Sequence, residues 1–305
     1  MNVREQAAVL ALVARAGQPW HETTALIEEA GSALRVVRGD VDVLDWFDPA
    51  EVAAIGRQVE PALLERSGAL IESLAADGVL LFTVLDHGYP ANLRRVWQRP
   101  PFVLLRGRFL AADDRAVALS GARQPSRAGL ALARSFARDL AGQGVTVVAA
   151  LDRGIGGATL DAATRAGGRA IGVLPGGISA PLDPDLRGLA ARVTLTGALV
   201  SATWPDTPHA GADQGAADRL ASSLAVGTVM VDADDTPAAG AAWDLADRRA
   251  RAFLSGDGPV FIPRPLAAAG PMSGYARHPN VILVGTATDI TSALAPPQVG
   301  LAAAG

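Results

Sequence analysis

Ala116-Val-Ala-Leu-Ser-Gly-Ala-Arg-Gln-Pro-Ser-Arg-Ala-Gly129 and Val145-Thr-Val-Val-Ala-Ala-Leu-Asp-Arg-Gly-Ile-Gly-Gly157 are two apolar runs that each end in a turn holding glycine and arginine. A short run of consecutive apolar residues reads as a strand buried on both faces, as the strands of parallel sheets are. Each strand delivers its turn to the carboxyl edge of the sheet, where glycines let backbone N–H groups approach an anion. Arg123 and Arg153 add guanidinium forks that match phosphate oxygens. The two turns together point to one mouth for a phosphorylated ligand. The fold class is α/β, Rossmann-like, a mostly parallel sheet with helices on both faces.

Outward from these turns, strand and helix alternate, which by the connection rules means right-handed crossovers in a parallel sheet. The expected strands are Ala116–Ser120, Thr146–Ala150, Ala170–Leu174, either Val193–Leu195 or Ala198–Ala202, Thr228–Val231 and Val260–Ile262. Arg127–Ala141 is the clearest helix, with Leu130, Ala133, Ala137 and Leu140 on one stripe. Asp213–Ala225 and Ala238–Phe253 follow the same pattern. Upstream, Arg4–Ala16, Thr23–Ala30 and Pro49–Ile55 read as short helices, the last with Asp48 as its N-cap. Leu70–Ala76 continues as helix, Val79–Val84 as strand, and a proline-stiffened connector leads to a strand starting at Phe102. These readings divide the chain into a helical module over 1–75, a Rossmann-like domain over 76–295 and a disordered tail over 296–305.

The chain has 305 residues, 50% hydrophobic and 19% charged, as a folded protein with one large core or two domains does. It contains no cysteine, which excludes thiolate catalysis, disulfides and thiolate metal sites. No window reaches the roughly 18 apolar residues of a spanning helix and no signal segment opens the chain, so a cytoplasmic protein without a membrane partner is expected. A formal net charge of −4 argues against polyanion binding over the whole surface while leaving room for a local basic mouth.

The chemistry-bearing motifs are few. Asp152-Arg-Gly-Ile-Gly-Gly157 approaches the dinucleotide fingerprint, with Gly154 in place, but Thr159 stands at its third position. The next strand ends in Leu174-Pro-Gly-Gly177 rather than in an acid for the ribose, so no nicotinamide cofactor is expected. The same glycines also admit a plain tight turn. Gly176 and Gly177 bring a second glycine loop to the same edge. Ser126 reads as the cap of the helix beginning at Arg127, as a phosphate ligand, or as both, and Gly121 and Gly129 flank it. Val229-Met-Val-Asp-Ala-Asp-Asp235 resembles a magnesium-holding strand end but has no Walker loop to go with it. The four histidines are scattered, which leaves no metal site, and His209 reads as an exposed loop residue. No serine elbow is present, so no catalytic residue is assigned. Arg219 lies on an amphipathic helix as one further cation.

In that order the landmarks resemble the DNA-processing protein A (DprA/Smf) family. Tyr89-Pro-Ala-Asn-Leu93 with Pro100-Pro-Phe-Val-Leu-Leu-Arg-Gly107, Gly121-Ala-Arg-Gln-Pro-Ser-Arg-Ala-Gly129, Ala149-Ala-Leu-Asp-Arg-Gly-Ile-Gly156 and Gly168-Arg-Ala-Ile-Gly-Val-Leu-Pro-Gly-Gly177 are similar to its successive motifs. The resemblance implies a protein that binds single-stranded DNA, cooperates with a recombinase, forms a homodimer and makes or breaks no bond. Its implied DNA-binding residues are Gly121, Arg123, Ser126, Gly129, Arg153, Gly154, Gly176, Gly177 and Arg219. The chain departs from the pattern at Ala149-Ala150, Gly156 and Leu160, and where paired arginines are expected it has Ala217-Asp-Arg219. Two other readings stay open: a Rossmann-like sensor or enzyme for a small nucleotide, and a degenerate paralogue acting by protein contact.

Overall fold

The computed structural model describes residues 2–15, 19–41, 45–232, 258–268, 275–277 and 279–295. The chain opens with five helices, α1 (Val3–Arg15), α2 (Trp20–Ala30), α3 (Ala33–Arg38), α4 (Pro49–Arg57) and α5 (Pro61–Ala76). Local chemistry sets their ends. The Asp48 carboxylate accepts from Ala50 N, Pro49 and Pro61 start their helices, and Gly31 and Gly39 close α2 and α3 in the left-handed conformation that glycine adopts without strain. The module joins the sheet through Gln6 on α1, whose amide donates to Leu81 O and to the Asp86 carboxylate.

The sheet follows as β1 (Val79–Thr83), a short helix α6 (Ala91–Arg94), β2 (Phe102–Gly107), β3 (Val117–Ser120), α7 (Arg127–Gly142), β4 (Val147–Ala150), α8 (Ile155–Arg165), β5 (Ala170–Val173), α9 (Pro184–Thr196) and β6 (Ala198–Ser201). It continues with α10 (Gln214–Ser223), β7 (Gly227–Met230), β8 (Val260–Pro263), α11 (Arg264–Ala267), β9 (Val281–Val284) and α12 (Ala287–Ala293). The spatial order is β1-β2-β6-β5-β4-β3-β7-β8-β9. All pairings from β6 to β9 are parallel, and β1 and β2 add antiparallel strands beyond β6. This is the mostly parallel Rossmann-like sheet expected from the sequence. Both α8 and α10 pack on β3, β4 and β5, so they cover opposite faces, and α7 and α9 lie on the α8 side.

Every residue of β3 through β8 is buried, which is why these strands are mostly apolar, with Ser120, Ser201 and Thr228 the hydroxyl exceptions. Of the two alternatives near residue 195, Ala198–Ser201 is the strand. Val193–Leu195 belongs to α9, where Val193 faces the core and Leu195 faces solvent. The helix expected over 238–253 and the tail over 296–305 lie outside the described residues. At the amino edge the Asp113 carboxylate and the Arg169 guanidinium form a two-pronged, nearly buried ion pair, both contacts 2.6 Å long. No helix among the described residues is long and apolar enough to cross a membrane.

The chain runs outward from β3 through β4, β5 and β6, then returns to the other side of β3 with β7. That reversal makes the carboxyl ends of β3 and β7 the topological switch point of the sheet, the region where open α/β sheets take ligands. The turns holding Arg123 and Arg153 open beside it.

Candidate functional site

The two arginine turns touch through their backbones. Ile155 N donates to Ala122 O at 3.1 Å. A Cβ on Gly154 would stand 2.5 Å from that same oxygen and 2.7 Å from Arg123 Cα, so only glycine permits the approach. Between the turns and the start of α9 lies a cleft of about 500 Å3, a size suited to one small ligand. Arg123 and Arg153 both line it. Its apolar wall includes Leu151, Pro175, Pro181 and Leu186, and Asp152, Asp183 and His209 are its other polar lining residues.

The glycine-rich turn after β4 has an internal anion. Asp152 Oδ1 accepts from Gly154 N at 2.7 Å and from Gly157 N at 3.0 Å, which satisfies the first turn of α8 with the chain's own carboxylate. Burial pushes the Asp152 pKa up, against those backbone donors and the Arg123 charge. Next to it, Asp218 on α10 accepts from Ser120 Oγ at 3.1 Å. Burial and then the Asp152 charge push Asp218 up to about 7.

The start of α7 is filled in the same way. Ser126 N and Ser126 Oγ both donate to Asp232 Oδ2, at 2.8 and 2.9 Å, and Gly129 N donates to Ser126 Oγ. A Cβ on Gly129 would fall 2.1 Å from the Asp232 carboxylate. Ser126 thus caps its helix as expected, while its hydroxyl proton goes to Asp232 and not to an open anion seat. Gly121 lies beneath the same carboxylate's backbone, 2.9 Å from Asp232 O for a Cβ built there.

The Pro-Gly-Gly loop after β5 packs against residues 204–209. Gly177 N donates to Thr207 O at 2.8 Å, and Gly176 N donates to His209 Nδ1 at 3.1 Å. His209 is therefore a seated, half-buried lining residue rather than an exposed loop histidine. Burial lowers its pKa and keeps Nδ1 available as an acceptor. Behind this loop Trp204 meets Trp20 edge-on and packs at a tilt against Phe102.

The arginines differ in what holds them. Arg153 pairs with Asp183 at 2.5 Å and with Asp185 at 3.1 Å, both at the head of α9. Arg219 pairs with Asp213 at 2.7 Å and does not line the cleft. Arg123 has no ion-pair partner among the described residues. The cleft therefore offers one guanidinium without an ion-pair partner among the described residues, a second shared with two acids, and a histidine. Of the residues singled out in the sequence, Arg123 and Arg153 line the cleft and Gly154 joins their turns. Gly121, Ser126 and Gly129 gather around Asp232, Gly176 and Gly177 shape the opposite rim, and Arg219 stands apart. Asp152, Asp183 and Asp218 escape a sequence reading, although an acid at the head of a glycine turn before a helix is an N-cap signal.

The family model for DNA recombination-mediator protein A matches residues 80–269, well over half of the chain. The chain belongs to that family. It is 23% identical over 185 residues to DNA processing protein DprA of Bacillus subtilis, an alignment covering 60% of this chain and 62% of that one. It is 31% identical over 147 residues to protein Smf of Escherichia coli, covering 48% and 39% respectively. The chain thus spans less than two thirds of either curated family relative. The structure of DNA processing protein A from Streptococcus pneumoniae superposes with a TM-score of 0.67 at 18% identity, over 96% of this chain and 98% of that one. The Helicobacter pylori family member, whose structure is described as showing a single-stranded DNA binding mode, gives 0.57 at 16% identity over 70% and 95%. At these identities the two structures establish the shared fold.

Proposed function

We propose that this chain binds single-stranded DNA by its phosphates at the cleft lined by Arg123 and Arg153, acting in DNA recombination by holding a strand for a recombinase and making or breaking no bond. The observation that carries the reading is that two arginine turns, far apart in sequence, line one cleft at the carboxyl edge in a chain of the recombination-mediator family. The description of the H. pylori relative supports the choice of strand. Few cations take part, so binding is weak and strongly salt-dependent. A homodimer would double the cationic track, and a cytoplasmic setting fits the cysteine-free composition.

Fluorescence anisotropy with labelled oligothymidine, across a salt series, tests the reading. No binding at low salt would overturn it. Arg123→Ala is expected to weaken binding by at least about tenfold, the worth of one charge-assisted hydrogen bond. Asp183→Asn combined with Asp185→Asn, which frees Arg153 and leaves an amide to cap α9, is expected to tighten binding at low salt. Unchanged affinity in that variant would show that Arg153 does not meet phosphate. A small nucleotide is the second reading, favoured by the cleft's size, and ATP or ADP-ribose displacing the oligonucleotide would support it.

A further inference from the structure

On the other side of the Pro181–Leu182 segment from the cleft, a groove of about 420 Å3 runs between α9 and the sheet edge. Its floor is apolar, built from Leu174, Ile178 and Leu199. Along α9 it is bordered by Arg187, Ala190, Ala191 and Thr194, which share one helix face. Three of these are small, so a chain laid there comes close to the helix. Leu195, 84% exposed, carries the apolar surface past Thr194.

Both charged residues of the groove are arginines, and they stand at opposite ends. Helix α9 descends from the carboxyl edge, so Arg187 in its first turns is at the upper end. Arg106 pairs in register with Leu199, the second residue of β6, near the lower end. The helical rise from 187 to 194 is about 10 Å, the length of roughly three residues of extended chain. Among the described residues neither arginine has an ion-pair partner. Asp183, whose carboxylate feels Arg187, is already hydrogen-bonded to Arg153.

We propose that this groove docks a short segment of a partner protein in which apolar residues lie between two acids, the apolar side chains on the floor and the carboxylates on Arg187 and Arg106. The apolar floor supplies contact area, and like charges at both ends select a chain with acids on either side. A nucleic-acid strand is the poorer occupant. No aromatic face lines the groove for a base, and Asp183 and Asp185 stand at the head of α9.

The test uses the full chain and a fluorescein-labelled Glu-Leu-Leu-Glu amide, followed by anisotropy at low salt beside its Gln-Leu-Leu-Gln counterpart. The acidic peptide is expected to bind about tenfold more tightly than the neutral one, with the difference shrinking in salt. Arg106→Ala with Arg187→Ala should remove that preference. Ala191→Trp, at an exposed position bordering the groove, should block both peptides, with circular dichroism unchanged in every variant. Oligothymidine affinity should stay at the wild-type value, since none of these residues pairs with Arg123 or Arg153. Equal binding of the two peptides, no binding of either, or an intact preference in the double variant would overturn the proposal. Displacement of the peptide by oligothymidine would assign the groove to nucleic acid instead. A wild-type dimer in light scattering that Ala191→Trp converts to monomer would assign it to a second copy.

Discussion

Gly154→Val is expected to lower the unfolding free energy by about 3 kcal/mol and to remove anion binding at the cleft along with it. The reason is steric and involves no flexible group. A Cβ at this position would meet Ala122 O at 2.5 Å, Arg123 Cα at 2.7 Å and Arg123 O at 3.0 Å, all backbone atoms that cannot rotate away. Relief requires the β3 turn and the β4 turn to part. That strains the Ile155 N to Ala122 O hydrogen bond and moves Arg123 away from Arg153. Gly142→Ala is the control, because a Cβ there meets nothing within 4 Å and α7 gains a better helix former. Urea denaturation and oligothymidine anisotropy of both variants check the claim. A Gly154→Val chain with the wild-type midpoint would mean that the turns are not in backbone contact.

The parallel core is legible in sequence because burial on both faces keeps β3, β4 and β5 almost wholly apolar, and each of these three runs stands just before a glycine turn. Val193–Leu195 and β9 mark the limit of that signal. A stretch as short as Val193-Thr-Leu195 reads alike in a helix and in a strand, and only the packing of Val193 inward with Leu195 outward decides. Strand β9 at the sheet edge is partly exposed, Ile282 included, so it lacks the buried pattern that marks the central strands. The arginine turns are legible for a local reason, since a strand, a glycine and an arginine follow one another in the chain. Their acid partners are not. Asp183 reaches Arg153 from 30 residues away, and Asp232 reaches Ser126 from 106 residues away.

Those distant acids change what the site means. The α8 and α7 starts that the sequence offers to a phosphate already hold carboxylates of the chain, Asp152 and Asp232, Asp183 sits on Arg153, and the Gly176-Gly177 loop gives its N–H groups to His209 and Thr207. The internal acids satisfy donors that would otherwise be orphaned, so the edge is ordered without ligand. A phosphate at Arg153, which is exposed, competes with Asp183 and Asp185, whereas Arg123 has no ion-pair partner among the described residues. On the proposed function, discrimination between a DNA strand and a single nucleotide would rest on Arg123, His209 and the apolar wall rather than on the glycine loops.

Asp218→Asn is expected to stabilise the fold at pH 8 by a few kcal/mol and to leave it nearly unchanged at pH 4. Asp218 is 6% exposed, and its pKa stands at about 7 against an ordinary 3.8. Folding thus favours its protonated form. Below about pH 4 the group is protonated in both folded and unfolded chains, and its contribution is complete. Between about 4 and 7 the unfolded chain ionises while the folded one does not, so stability falls, and above 7 the loss is constant. A shift of this size corresponds to on the order of 4 kcal/mol, a ceiling because Asp152 shares the same buried charge. Asp183 and Asp289 act in the opposite direction. Arg153 holds the first, and the Gly285 and Thr286 backbone donors hold the second, below the usual carboxylate range, so their stabilisation is complete above about pH 4 and is lost as pH falls through the folded pKa. The quantity to measure is therefore the difference between variant and wild type, by urea denaturation at several values of pH. Asparagine keeps an oxygen to accept from the Ser120 hydroxyl and cannot ionise, so the difference should climb from pH 4 to 7 and then level off. A flat difference would mean that Asp218 ionises normally in the folded chain and carries no buried proton.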